Sequence, residues 1–169
     1  FDKGRGPGGR MSTRRTLTHL GEASFDHGAQ FFTARDPEFK RVVKRFRQKG
    51  IVAPWPLAGP DAWVGIPGMS AVVKHMTAEF DVHWSHQVLG LSRNGDGWTI
   101  QSTNPVDKIF DTMILAVPSE QAAALLSLHD LELAKIAAMS RSQPCWTAMF
   151  AFDQSRGDLP VGIGDRDDI

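Results

Sequence analysis

Two short strings hold the residues whose types and spacing point most directly to chemistry. The first is Asp2-Lys3-Gly4-Arg5-Gly6-Pro7-Gly8-Gly9-Arg10-Met11-Ser12, and the second is Phe25-Asp26-His27-Gly28-Ala29-Gln30-Phe31-Phe32-Thr33. Phe1-Asp2 reads as the end of a strand. An acid at that place, ahead of a glycine loop, can accept hydrogen bonds from ribose hydroxyls, as in nucleotide-binding βαβ units. Glycines let backbone N–H groups come close to an anion, and arginine forks supply charge, so the first string can hold a phosphate. A flexible basic arm is an equally open reading of the same stretch. From Phe1 to Arg15 five basic residues (Lys3, Arg5, Arg10, Arg14, Arg15) stand against the single acid Asp2. The last seventeen positions reverse the balance, with Asp153, Asp158, Asp165, Asp167 and Asp168 against Arg156 and Arg166.

Other chemistries find little support. The six histidines (His19, His27, His75, His83, His86, His129) show no zinc-ligand spacing, so no metal is expected. His83 and His86 are read onto one strand, where they would face opposite sides. The lone cysteine, Cys145, precludes an intrachain disulfide and reads as a buried structural thiol. This usage suits a reducing, cytoplasmic setting. No Gly-x-Ser-x-Gly elbow occurs, which removes the main hydrolase signature. With 19 basic and 19 acidic residues the net charge is zero, so nucleic-acid binding over a wide surface is not expected. No apolar run approaches the ~18–20 residues needed to cross a bilayer.

The elements that must position these residues are mixed. The chain's 169 residues suit one domain, or part of a larger one. Asp36 and Pro37 predict an N-cap and first helical position. Phe39, Val42, Val43 and Phe46 then form a helical stripe that Gly50 ends. Four prolines make residues 51–67 a loop, with a short strand near Trp63. Val72, Val73, Met76 and Phe80 predict a second helix with a core-facing stripe. Residues 81–84 and 86–93 read as strands. Asn94-Gly95-Asp96-Gly97 reads as a hairpin turn, with a return strand at 98–102. The apolar run within 109–117 predicts a fully buried strand. Ser119 and Asp130 are expected to cap helices over 119–126 and 131–139, and residues 145–152 to form a last strand. The expected fold class is mixed α/β.

Taken together, Asp2, Gly8-Gly9-Arg10-Met11 and Asp26-His27-Gly28-Ala29-Gln30 resemble the bacterial renalase-like branch of the FAD-dependent amine oxidase superfamily. The likeness is strongest over residues 1–39. It continues through Trp63-Val64-Gly65-Ile66-Pro67-Gly68-Met69-Ser70 and Leu115-Ala116-Val117-Pro118. The resemblance implies an interrupted Rossmann-like FAD domain (1–50 and 68–127) and a mixed-sheet substrate domain (51–67 and 128–169). It implies FAD as cofactor, with Asp2 at the adenosine ribose. Arg5, Arg10 and the Gly8-Gly9 backbone would lie along the pyrophosphate and flavin, and Met11 joins them as a cofactor-binding residue. Gly28, Ala29 and Gln30 would approach the isoalloxazine, Val88 the adenine, and Ala116 and Pro118 would flank the cofactor. Relatives oxidise amines or isomeric dihydronicotinamides by hydride transfer to flavin, with dioxygen taking the electrons. A small-molecule substrate is therefore expected, and the flavin carries the redox step without an obvious acid–base pair.

The Gly-x-Gly-x-x-Gly strand–turn–helix unit and the closing C-terminal part of such proteins have no counterpart in the sequence. The expectation is a fragment, with an exposed sheet edge at Asp2 that would favour a homodimer. Asp26-His27 reads equally as a proton relay beside flavin or as a structural turn. Gln30 would hydrogen-bond the flavin or a neighbouring loop, Phe31-Phe32 are core, and the five tryptophans pack in cores or interfaces. A cofactor-less interaction module of the same fold is the second functional reading. A phosphate or nucleic-acid binder using residues 3–15 is the third.

Overall fold

The computed structural model describes residues 1–95 and 97–153. They fall into two compact units. One joins Phe1–Gly6 to Asp81–Trp146, and the other is built on Pro7–Phe80 with the stretch that starts at Thr147.

The unit built on Pro7–Phe80 opens with a hairpin. Strand β1 (Thr13–Thr18) pairs antiparallel with β2 (Gly21–Asp26), in register from Thr13 opposite Asp26 to Thr18 opposite Gly21. Gly21 takes φ 110°, which closes the turn around His19-Leu20. The Thr18 hydroxyl accepts from Leu20 N at 3.1 Å and donates to Gly21 O at 2.9 Å. A three-stranded antiparallel sheet follows. Its central strand β5 (Ala62–Gly65) lies between β3 (Phe32–Thr33) and β4 (Val52–Pro54).

Helix α1 (Pro37–Gln48) starts as its sequence predicts. The Asp36 carboxylate accepts from Phe39 N at 2.8 Å, and Pro37 occupies the first turn. It ends in a Schellman motif: Gly50 N donates to Arg47 O and Ile51 N to Phe46 O, with Gly50 at φ 70°. Val43 on this helix joins Ala34, Val52 and Val72 in the buried core, and Met11, Phe32, Phe46, Ile51 and Trp63 pack around them. Val43→Ala removes about two methylene equivalents from this cluster. The expected loss is about 2 kcal/mol, read as a lower urea midpoint at unchanged slope.

Helix α2 (Ser70–Thr77) is shorter than its apolar pattern predicts. Val72 is buried, but Met76 and Phe80 are 52% and 71% exposed. Phe80 lies beyond the last turn and Met76 is half exposed, so only the N-terminal part of the stripe is buried.

In the other unit, β6 (Val88–Asn94) and β7 (Gly97–Ser102) form the expected hairpin, with Gly95 at φ 58°. Asp96, part of the expected turn, lies outside the described residues, as does the acidic stretch beyond Asp153. Helices α3 (Ser119–Leu126) and α4 (Leu131–Met139) follow and bury Ala122 and Ala134. Asp130 caps α4 as expected, accepting from Leu133 N at 2.9 Å. Ser119 does not cap α3. Pro118 holds the N-cap position, and the Ser119 hydroxyl donates to Ser140 O at 2.6 Å.

Glu120 fastens the chain after α4. Its carboxylate accepts from Ser142 N at 2.7 Å. That backbone bond is the main reason its pKa lies below the ordinary carboxylate value. The sign follows from linkage: the contribution is present above the unfolded pKa and is lost as pH falls through the lower folded pKa. Amide exchange at Ser142, referenced to neighbouring amides, should therefore quicken on acidification below the usual glutamate range. Unchanged relative protection would remove the contact.

Several expected strands do not form among the described residues. Among the described residues, the pairing in 109–117 is the bridge of Phe110 to Trp98, and Ile109 and Ile114 are 63% and 85% exposed. Among the described residues no regular strand forms over 145–152, where Cys145 is exposed rather than buried and Trp146 is 98% exposed. Asp2 is joined to the 83–86 segment by two backbone bonds, Asp2 N to His83 O and His86 N to Asp2 O, each 2.9 Å, and no regular strand forms over 81–84. Ser85 turns the chain there with φ 58°. His83 and His86 consequently share a side: their rings lie 5.5 Å apart, and both pack on Phe1. The fold class is mixed α/β as expected, and every strand pairing among the described residues is antiparallel.

Candidate functional site

The hairpin β1–β2 brings the two informative strings together. Thr13 and Asp26 are paired at its open end, so the chain entering β1 and the chain leaving β2 are neighbours. The entering chain is a short 3-10 turn over Gly9–Met11, with Gly8 at φ 153° and Gly9 at φ 53°. Met11 N donates to Gly8 O at 2.9 Å and Ser12 N to Gly9 O at 3.1 Å. The leaving chain docks against it through Ala29 N, which donates to Arg10 O at 2.8 Å.

Glycine is required at this contact. A Cβ on Gly28 would overlap the Arg10 carbonyl oxygen, and one on Gly8 would lie 2.9 Å from the Ser12 Cβ. Gly9 has open space at its Cβ position and a left-handed φ, so its backbone presents a bare surface beside the exposed Arg10. His27 sits within the junction. Its Nε2 is 3.3 Å from Ser12 Oγ, while its buried Nδ1 has no partner.

Asp26 ties the hairpin to α2. Its Oδ1 accepts from Thr13 Oγ1 at 2.5 Å and from Met69 N at 3.0 Å, and Ser70 N donates to Thr13 Oγ1 at 3.2 Å. Two N–H groups at the start of α2 are thus satisfied by the hairpin, where α2 has no side-chain cap of its own. Gly68 makes this approach feasible, since a Cβ there would meet Thr13 Oγ1 at 2.7 Å. The structural reading of Asp26 is the one observed, although its backbone partner is distant in sequence rather than local.

Beside this junction lies an open cleft of about 560 Å3, lined by Asp26, Gln30, Pro54, Trp55, Val64 and Gly65. Phe31 packs edge-to-face on Trp55 with ring centroids 6.1 Å apart. The wall is an aromatic and aliphatic surface with one carboxylate and one amide, a lining suited to a planar heteroaromatic ligand. Gln30 lines this cleft; Gly8 and Gly9 do not.

The other sequence-selected residues fall as follows. Met11 is half-buried and packs on the core. Asp2, Arg5, Val88, Ala116 and Pro118 belong to the second unit. There the Asp2 carboxylate accepts from Gly4 N at 2.6 Å, and Val88 starts β6, opposite Ser102. Ala116 is exposed and Pro118 is the α3 N-cap residue. No hydrogen bond among the described residues ties either to Asp2. Sequence reasoning missed the Thr13–Asp26 pair, the capping of α2 by the hairpin, and the contribution of Pro54 to the cleft. Three β-branched threonines, Thr13, Thr16 and Thr18, before a glycine turn were the available signal for the first.

The bare Gly9 backbone and the exposed Arg10 charge fit a ligand carrying a diphosphate. Two protein-family models match the chain. Residues 1–46 match the NAD(P)-binding Rossmann-like domain, and residues 55–156 match the flavin containing amine oxidoreductase family. Because the second match spans more than half of the sequence, the chain belongs to the flavin containing amine oxidoreductases.

Proposed function

We propose that the chain is the flavin-holding part of an oxidoreductase of the renalase-like branch, and that its cofactor is FAD. The observation that carries the reading is the docking of Gly28-Ala29 onto Arg10, which joins the glycine turn to the segment that leads into the Gln30 cleft. The chemistry supplied by the flavin when bound is hydride acceptance from a small amine or dihydronicotinamide, followed by reoxidation with dioxygen. The chain's own residues bind and orient. Arg10 offers its guanidinium, and the Gly8-Gly9 backbone offers close approach, to the diphosphate. Gly28, Ala29 and Gln30 support the ring, and Trp55 with Phe31 excludes water from one wall of the cleft.

The test is a visible spectrum of the purified chain, recorded before and after adding FAD and removing the excess by gel filtration. Retained flavin absorption supports the proposal. A colourless protein that retains none overturns it, and favours a cofactor-less interaction module, the reading to which the exposed Ile114 and Trp146 lend weight. Arg10→Ala is expected to weaken FAD binding several-fold. Unchanged affinity would remove Arg10 from the phosphate contact.

A further inference from the structure

A second cleft lies between α1 and β5, lined by Ala34, Lys40, Val43, Lys44, Arg47, Pro60, Asp61 and Trp63. It is about 290 Å3. Lys40, Lys44 and Arg47 stand at i, i+4 and i+7, so they share one face of α1. Beneath them the floor is apolar: Ala34 and Val43 are each 1% exposed, and Trp63 is partly buried against them.

The charges on α1 are not all alike. Arg41 pairs with Glu38, and Lys40 pairs with Asp61 at 3.4 Å. Lys44 and Arg47 have no carboxylate within ion-pair distance among the described residues. Two unpaired cations three positions apart repel each other mildly, and an anion between them reverses the sign of that interaction. The apolar floor adds a surface that a bare inorganic anion would not use.

We infer that this cleft binds a small anion with an apolar body, an aromatic carboxylate or phosphate monoester, its charged head between Lys44 and Arg47 and its body against Val43 and Trp63. The site is separate from the Gln30 cleft and does not depend on flavin.

The test is titration of the full chain with benzoate, phenyl phosphate, inorganic phosphate and benzyl alcohol, followed by the Trp63 indole N–H signal in a 15N–1H spectrum. A Trp63→Phe variant assigns the signal. Saturable shifts with benzoate or phenyl phosphate are expected, and the stronger of the two identifies the head group. Lys44→Gln with Arg47→Gln should weaken binding about tenfold or more, the loss of charge-assisted bonds. Arg45→Gln, on the same helix but outside the cleft, should leave it unchanged. Absence of saturation overturns the inference. So does equal weakening by Arg45→Gln, which would mean general charge attraction. Inorganic phosphate or benzyl alcohol binding as tightly as phenyl phosphate would likewise remove the amphipathic requirement.

Discussion

Gly28→Ala should lower FAD affinity about tenfold or more and cost about 1–3 kcal/mol of stability, the usual penalty for forcing a methyl into occupied space. The added Cβ would overlap the Arg10 carbonyl oxygen, a backbone atom that cannot rotate away. Relief requires the 28–30 segment to lift from the Gly9–Met11 turn. That breaks the Ala29 N to Arg10 O bond, the direct tie between the glycine turn and the cleft loop. Gly6→Ala is the matched comparison, since a Cβ there meets nothing within 4 Å. Urea unfolding and FAD titration of both variants separate local damage from general loss of folding. Equal behaviour of the two would mean that the close contact at Gly28 does not matter.

Asp26→Ala should have the second large effect, a loss of about 2–3 kcal/mol, because hydrogen bonds to charged groups are worth more than neutral ones. Its Oδ1 receives the Thr13 hydroxyl and the Met69 N–H, so removal leaves the first turn of α2 without its partner and frees the 65–69 segment that borders the cleft. Asp26→Asn keeps an acceptor oxygen at the same place and should stay within about 1 kcal/mol of the parent. Equal losses from the two substitutions, measured by urea unfolding, would show that charge at the helix terminus matters and acceptor geometry does not.

The sequence made the local devices legible, and the partners less so. Asp36, Pro37 and Gly50 define both ends of α1 because capping acts within a few residues. Asn94 and Gly95 define the β6–β7 turn for the same reason. Strands fail differently. The apolar run at 113–117 satisfies every composition rule for a buried strand, yet a strand exists only where another chain segment completes its ladder, and that information is not local. Met76 and Phe80 continue the helical stripe in sequence, yet both are largely exposed. The site shows the same division. Gly9 was readable as bare backbone, whereas the contact of Gly28 with Arg10, the pairing of Thr13 with Asp26 and their capping of α2 depend on a hairpin whose β1 is disguised by Arg14 and Arg15. His83 and His86 were placed on opposite faces by assuming a strand, and the turn at Ser85 reverses that geometry.

The central claim is that one junction, made of the Gly8-Gly9-Arg10 turn and the Gly28-Ala29 loop, receives the dinucleotide. It is tested most directly by titrating 15N-labelled chain with FAD and following backbone amides. The account predicts that Gly8, Gly9, Arg10, Gly28 and Ala29 shift together with one saturation curve. Saturable shifts confined to other amides, or a Gly28–Ala29 response with a midpoint different from that of Gly8–Arg10, would contradict it.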